Sequence, residues 1–163
     1  MGCDMETTLC HIIDKDKVLL KMASRGVSKG KWNALGGKIE NGESPRENAL
    51  RESYEESGLV LKDMKKIGVL SFYRGSKRNL FLKMHVFSAT KFSGRITEGE
   101  EGKLGWFNVD EMPFDQMWDD DKYWWHLMRH NICFDGEFIF DSKMSKVQSY
   151  AIKRIRKASS SLH

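Results

Sequence analysis

The chain has 163 residues, 40% hydrophobic and 31% charged, which suits one globular domain with a sizeable core and leaves no length for a second. No apolar run reaches the roughly 18 residues of a membrane span. The N-terminus also lacks the basic-then-apolar layout of a secretory signal, so the expected location is cytoplasmic, with no membrane partner. A net charge of +4 is weak for a nucleic-acid-binding surface, but it is unevenly spread: residues 37 to 58 hold six acids against three bases, a segment of −3 inside a remainder of +7. A negative knot in a positive protein points to a metal site serving a phosphate ligand.

Met1-Gly2-Cys3 opens like a lipidation signal, but Glu6 stands where a myristoylation motif needs Ser or Thr. Cys3, Cys10 and Cys133 are odd in number and far apart, which suits reduced thiols used in packing. Thr7 to Ile13 and Lys17 to Met22 are β-rich runs split by the turn-like Asp14-Lys15-Asp16, a predicted hairpin. A Gly-punctuated loop from Arg25 to Gly30 follows, and Lys31 to Leu35 leads into Gly36-Gly37, where a backbone without side chains can approach a ligand closely.

Ser44-Pro45-Arg46-Glu47 has the form of a capping box, with Ser at the N-cap, Pro at the first helical position and Glu three residues past the cap. Gly58 supplies the stop, so a helix is predicted between them. Met64 to Tyr73, Leu80 to Lys91 and Leu104 to Val109 are predicted strands. Asp119 to His130 is helix-like, with Tyr123, Leu127 and His130 at i, i+4 and i+7, and Cys133 to Phe140 and Lys146 to Ile155 are closing strands. The fold class is therefore α/β (α+β): a single mixed sandwich over residues 1–155, followed by a short basic, Ser-rich tail over residues 156–163 that is expected to be solvated.

At 100° per residue, Glu52, Glu55 and Glu56 share one narrow face of the predicted helix, while Leu50, Ser53, Tyr54 and Ser57 form the face available for packing. Like charges at i, i+3 and i+4 cost a bare helix a few tenths of a kcal/mol per pair, roughly, and a divalent cation compensates them. Oxygen ligands without His or Cys select Mg2+ or Mn2+, and magnesium commonly joins one or two carboxylates to phosphate oxygens of a substrate. A solvated acidic helix is the plain alternative for three glutamates alone.

The flanks decide between these readings. Gly37-Lys-Ile-Glu-Asn-Gly-Glu43-Ser-Pro-Arg-Glu-Asn-Ala-Leu-Arg51-Glu52-Ser-Tyr-Glu55-Glu56-Ser-Gly58-Leu59 matches G-x5-E-x7-R-E-U-x-E-E-x-G-U, the Nudix box, where U is aliphatic. Seven fixed positions at average usage coincide by chance on the order of once in 10^8 starting points. The one departure is Ser53 at an aliphatic position, which should weaken helix docking slightly. The resemblance implies a loop-helix-loop held in a β-sheet sandwich, and Mg2+ (or Mn2+) on Glu52, Glu55 and Glu56 with the Gly37 carbonyl. Arg51 would orient the glutamates, with Glu43 supporting the network. Catalysis would be by Glu52, Glu56, Arg51 and Glu101, with water attacking a phosphorus of a diphosphate bridge; Glu101 would join the metal ligands and rivals Glu56 as general base, a solvated loop charge being its plain alternative.

Beyond the box the chain resembles the animal MutT-homologue group of oxidised-purine nucleoside triphosphatases, over nearly its whole length. The most telling pieces are Gly30-Lys-Trp32-Asn33 and Pro113-Phe-Asp-Gln-Met-Trp118-Asp-Asp120-Asp121-Lys-Tyr123-Trp124. The resemblance implies hydrolysis of 8-oxo-dGTP and 2-hydroxy-dATP, which sanitises the nucleotide pool. The substrate would be a small nucleotide and the protein a monomer with no stable nucleic-acid partner. The residues also make physical sense as a base pocket. Trp118 offers a stacking face, worth about 1 to 3 kcal/mol per base in single-strand binders, and Asn33 presents an amide donor and an acceptor. Asp120 and Asp121 together favour one shared proton, so one donates and the other accepts. The competing reading of residues 119 to 121 is a helix cap.

Thr8 and Phe72 match further pocket positions of that group, whereas Val27 replaces an aromatic and Ala23 a lysine. Trp32, His85 and His126 are expected to be structural. The alternatives are a Nudix pyrophosphatase for a sugar nucleotide, dinucleoside polyphosphate or capped RNA, and a nucleotide-sensing module without turnover. Such a module would be expected to lose one of Arg51, Glu52, Glu55 or Glu56, all of which are present.

Overall fold

A computed structural model gives the fold of residues 5–98 and 102–155. In chain order it contains β1 (Glu6–Asp14), β2 (Lys17–Ala23), β3 (Trp32–Asn33), α1 (Pro45–Ser57), β4 (Val60–Leu61), β5 (Lys65–Arg74), β6 (Leu80–Ala89), β7 (Phe92–Ser93) and β8 (Gly102–Asn108). A single 3-10 turn at Phe114–Gln116 precedes α2 (Asp121–Arg129), β9 (Phe134–Phe140) and β10 (Val147–Arg154). The β1–β2 hairpin forms across Asp14 to Lys17, with Lys15 at φ 58°.

The main sheet runs β10-β9-β5-β6-β1-β2-β3, and β8 lies along β2. It is mixed, because β1 pairs with β6 and β5 with β9 in parallel while the other neighbours are antiparallel. The hairpin strands part quickly: β1 and β2 share two residue pairs, Ile13 with Val18 and Asp14 with Lys17. Beyond these, β2 takes β3 through Lys21–Asn33 and Met22–Trp32. The free edge of β1 takes the segment after β3, through Cys10–Leu35 and Thr7–Lys38 bridges. The stretch 32–38 thus fills the gap opened by the splayed hairpin and delivers the start of the box onto β1.

Strand alternation divides the apolar residues between two cores. Val18 and Leu20 face a cluster with Phe72, Trp124, Phe134, Phe138 and Phe140 on the α2 side. Leu19 faces the opposite cluster, with Cys10, Ile12, Leu35, Ala49, Leu59 and Phe87 on the α1 side. On α2 the buried stripe is Asp121, Trp124, Trp125, Leu127 and Met128, so the helix is rotated from the expected Tyr123-Leu127-His130 line, and His130 is its C-cap. Trp32 packs edge-on against Phe107 at 4.7 Å, as a core anchor should.

Helix α1 begins and ends where its sequence predicts. Ser44 Oγ accepts from the Glu47 N–H at 3.0 Å, and Glu47 Oε1 accepts from the Ser44 N–H at 3.0 Å. Gly58 closes the helix at φ 81°, and a Cβ there would lie 2.7 Å from the Arg95 carbonyl oxygen. The packing face differs from the expected one, however. Asn48, Ala49, Ser53, Glu56 and Ser57 are buried, whereas Tyr54 is 58% exposed. The buried arc is therefore centred on Glu56, and the acidic and packing faces overlap.

Ser53, where the box has an aliphatic residue, is fully buried, and its Oγ has no nitrogen or oxygen partner among the described residues and lies against the Cys10 thiol. A buried hydroxyl without a full hydrogen bond costs more than its absence. Ser53→Ala is expected to raise the unfolding free energy by about 1 kcal/mol in urea denaturation. A loss of stability would instead show that the hydroxyl–thiol contact holds the helix.

Candidate active site

The loop before α1 is shaped by two glycines that have no room for side chains. Gly36 sits at φ 146°, and a Cβ on it would fall 2.0 Å from the Thr8 carbonyl oxygen. A Cβ on Gly37 would fall 2.6 Å from Glu52 Oε2, so the Gly37 backbone and that carboxylate are in direct contact. The Gly37 carbonyl accepts from the Thr8 N–H at 3.0 Å, using one of its two lone pairs.

Arg51 is the hub of the acidic face. Its Nε donates to Glu43 Oε2 at 2.6 Å and Nη2 to Glu43 Oε1 at 3.2 Å, while Nη1 donates to Glu52 Oε1 and to Glu55 Oε2, each at 3.0 Å. These bonds hold the Arg51 guanidinium charged. Hydrogen bonds from Arg51 and Asn48, with the Glu40 N–H, pull the Glu43 carboxyl down to about 2. Asn48, which is fully buried, also donates to the Lys38 carbonyl at 2.8 Å and so ties the loop to the helix.

The three box glutamates are graded by depth: the side chains are 55% exposed for Glu55, 16% for Glu52 and 3% for Glu56. Glu56 Oε1 accepts from the Gly36 N–H at 2.9 Å and Oε2 is ion-paired with Lys21 Nζ. Burial nevertheless outweighs these partners and pushes the Glu56 carboxyl up to about 7. Among the described residues no three acidic, His or Cys side chains converge into a coordination cage as they stand. Arg51 bridges Glu52 and Glu55, and Lys21 takes Glu56. The donor set still fits a hard divalent ion, because Glu52, in contact with Gly37, and Glu55 and Glu56 on the same turn of helix offer only oxygen. Glu101 lies outside the described residues.

The second group of candidates gathers on the α2 side. Trp118 donates from Nε1 to Ser28 Oγ at 2.9 Å, meets Phe140 edge-on at 6.3 Å and carries Lys31 Nζ 5.2 Å from its ring centre. Phe72 is buried beneath, stacked on Phe138 at 5.9 Å and 6.1 Å from Phe140, so it belongs to the aromatic floor. Asn33 stands apart from these: in β3 it pairs directly with Lys21 of β2 and shares that residue's α1-facing side, and its carboxamide makes no hydrogen bond among the described residues.

Asp120 and Asp121 are both buried at the start of α2, where Asp120 is the N-cap by position but makes no side-chain capping hydrogen bond. Asp120 Oδ2 accepts from Trp124 Nε1 at 2.8 Å. Burial pushes the Asp120 carboxyl up to about 6, and burial together with the neighbouring Asp120 charge pushes Asp121 well above the usual range. Asp119 points elsewhere: it accepts from the Val147 N–H at 2.8 Å and pairs with Lys122, tying the start of α2 to β10.

Strand alternation turns the Thr8 side chain to the α1 side, where the hydroxyl donates to Asn48 Oδ1 at 2.5 Å. His11, on the other face of β1, is the residue that packs against Trp124 and Trp125. Sequence reasoning passed over Lys21, Asn48, Ser28 and Lys31. Of these Lys21 had a visible signal, a charge at a position in step with the core residue Leu19.

Comparison with known proteins agrees with this geometry. Residues 5–128 match the model of the NUDIX domain. The chain is 38% identical over 149 residues to the oxidized purine nucleoside triphosphate hydrolase of Mus musculus, covering 91% of this chain and 94% of that one. It is 40% identical over 133 residues to the protein of the same name from Danio rerio, covering 82% and 85%. Among solved structures, a MutT protein from Bacillus halodurans superposes with a TM-score of 0.80 at 30% identity, over 91% of this chain and 97% of that one. With the box glutamates and Arg51 all in place on α1, and a matched domain that spans both candidate clusters, the chain belongs to the Nudix family of hydrolases.

Proposed function

We propose that this protein hydrolyses oxidised purine nucleoside triphosphates, 8-oxo-dGTP foremost and 2-hydroxy-dATP with it, to the nucleoside monophosphate and pyrophosphate. The observation that carries this reading is the buried Asp120–Asp121 pair beside the Trp118 wall. Two desolvated carboxyls that feel each other's charge resist ionising together, so one would donate and one accept towards the edge of a purine. Asp120 accepts from Trp124 Nε1, which favours its charged form, so Asp121 is the better placed of the two to hold the proton. Moving the proton between them would let the same pocket take oxidised guanine and oxidised adenine. The names carried by the relatives from Mus musculus and Danio rerio support the same substrate class.

Magnesium or manganese would be held by Glu52, Glu55, Glu56 and the Gly37 carbonyl. When bound, it neutralises charge that develops on the bridging and leaving phosphate oxygens. Arg51 keeps Glu52 and Glu55 at fixed separation, and Glu43 fixes Arg51 in turn. Glu56, whose carboxylate is held in place by the Gly36 N–H and Lys21, would take the proton of the attacking water. Trp118 and Asn33 hold the base, and Phe72 and Phe140 give the pocket its rigid floor.

A substrate panel read as pyrophosphate release tests the reading, and equal turnover of dGTP and 8-oxo-dGTP would sink it. Glu56→Gln is expected to lower kcat about a hundredfold or more on every substrate. Asp120→Asn should instead change the preferred base, shifting the ratio of kcat/KM values by about tenfold or more.

The pair also sets a pH dependence of stability. Because the folded-state pKa of Asp120 is raised to about 6, its contribution is fully present below the unfolded value near 3.8 and is lost as pH rises through 6. Asp120→Asn keeps an acceptor for Trp124 and lacks that loss. Its stability relative to the parent protein should rise by about 3 kcal/mol between acidic and mildly alkaline pH, as measured by denaturant titration at each pH.

A further inference from the structure

Lys21 is a charged residue that the box does not account for. Its strand places it in step with Leu19, facing α1, and its side chain is only 14% exposed. Removing an ammonium group from water is costly unless an opposite charge meets it, and Glu56 Oε2 does so. The other Glu56 oxygen is held by the Gly36 N–H, so the carboxylate is clamped between loop and strand. Ala23, the next position on the same face of β2, offers no cation.

One carboxylate oxygen cannot serve an ammonium and a divalent ion at the same distance, because the two positive charges repel. We propose that Lys21 is a positioning residue that occupies Glu56 in the absence of metal and is transferred, when metal and nucleotide bind, to an oxygen of the nucleotide's phosphate chain. The proposal rests on the reading of Glu56 as a metal ligand. The lysine stem is flexible and its charge compact, which suits a group that changes partners. Competition for Glu56 makes the lysine and the metal antagonists, and the phosphates relieve that antagonism by offering Lys21 another counter-charge. Metal and nucleotide therefore bind cooperatively through Lys21, and by linkage each strengthens the other equally.

The test is Mn2+ affinity, read from the free-ion electron paramagnetic resonance signal at alkaline pH, with and without a non-hydrolysable purine triphosphate. The parent protein, Lys21→Met, Lys21→Arg and Lys21→Gln are compared, with a thermal melt for each. Without nucleotide, Lys21→Met should bind Mn2+ about tenfold more tightly than the parent. It should also lose the tightening that nucleotide brings, and its KM for the triphosphate should rise more than kcat falls. Lys21→Arg should restore both cooperativity and KM. If Lys21→Met does not fold, Lys21→Gln is read in its place. Unchanged or weaker Mn2+ binding in the neutral variants overturns the proposal while leaving the metal site standing. A parent protein that binds no Mn2+ overturns the metal reading, and the proposal with it.

Discussion

The site depends on backbone packed too closely for side chains. Gly36 lies against the Thr8 carbonyl and Gly37 against the Glu52 carboxylate, so a methyl group at either point would push the loop off β1 or off α1. Because the loop is that close, the Gly36 N–H reaches Glu56 and the Gly37 carbonyl meets the Thr8 N–H. The early splay of the hairpin is what makes the space. After two residue pairs β1 and β2 separate, and the stretch from Trp32 to Lys38 bonds first to one and then to the other. A fixed loop and a capped helix then leave the glutamates little freedom to move.

The acids that give the site its chemistry are also part of the fold. Glu56 shares the buried arc of α1 with Ala49 and Ser53, and Glu55 faces solvent. A buried carboxylate is tolerated only when it is paired and hydrogen-bonded, and here the partners come from outside the helix, Lys21 from β2 and an N–H from the loop. Arg51 does the same for Glu43, Glu52 and Glu55 with one guanidinium, whose planar fork suits several carboxylates at once. Helix, loop and strand are thus joined by charge as well as by apolar contact.

Features set by local spacing were legible in the sequence. The capping box, the Gly58 stop and the hairpin turn each depend on residues within a few positions of one another, and all are found as expected. The adjacency of Asp120 and Asp121 was legible too, but their burial was not, because carboxylates at the start of a helix are ordinarily solvated. What depends on distant neighbours was not. The direction in which Thr8 points follows from which sheet face α1 covers, and the partner of Lys21 lies 35 positions away. The β4–β7 pair has two residues per strand, too few to show any period. The wheel for α1 assumed that packing avoids charge, and the Lys21 pair breaks that assumption.

Asp119 links the base pocket to the far end of the chain. Its carboxylate holds the Val147 N–H at the point where the β10 register shifts, and Tyr150 of β10 stacks on Phe138 and Tyr123. The wall that presents Asp120 and Asp121 is therefore braced by the last strand, which contributes no residue to the chemistry. Rigidity in such a pocket governs how sharply it distinguishes one oxygen on a purine from none. In the proposed reading, discrimination between a damaged and an intact base would draw on a strand at the edge of the sheet as well as on the groups that touch the base.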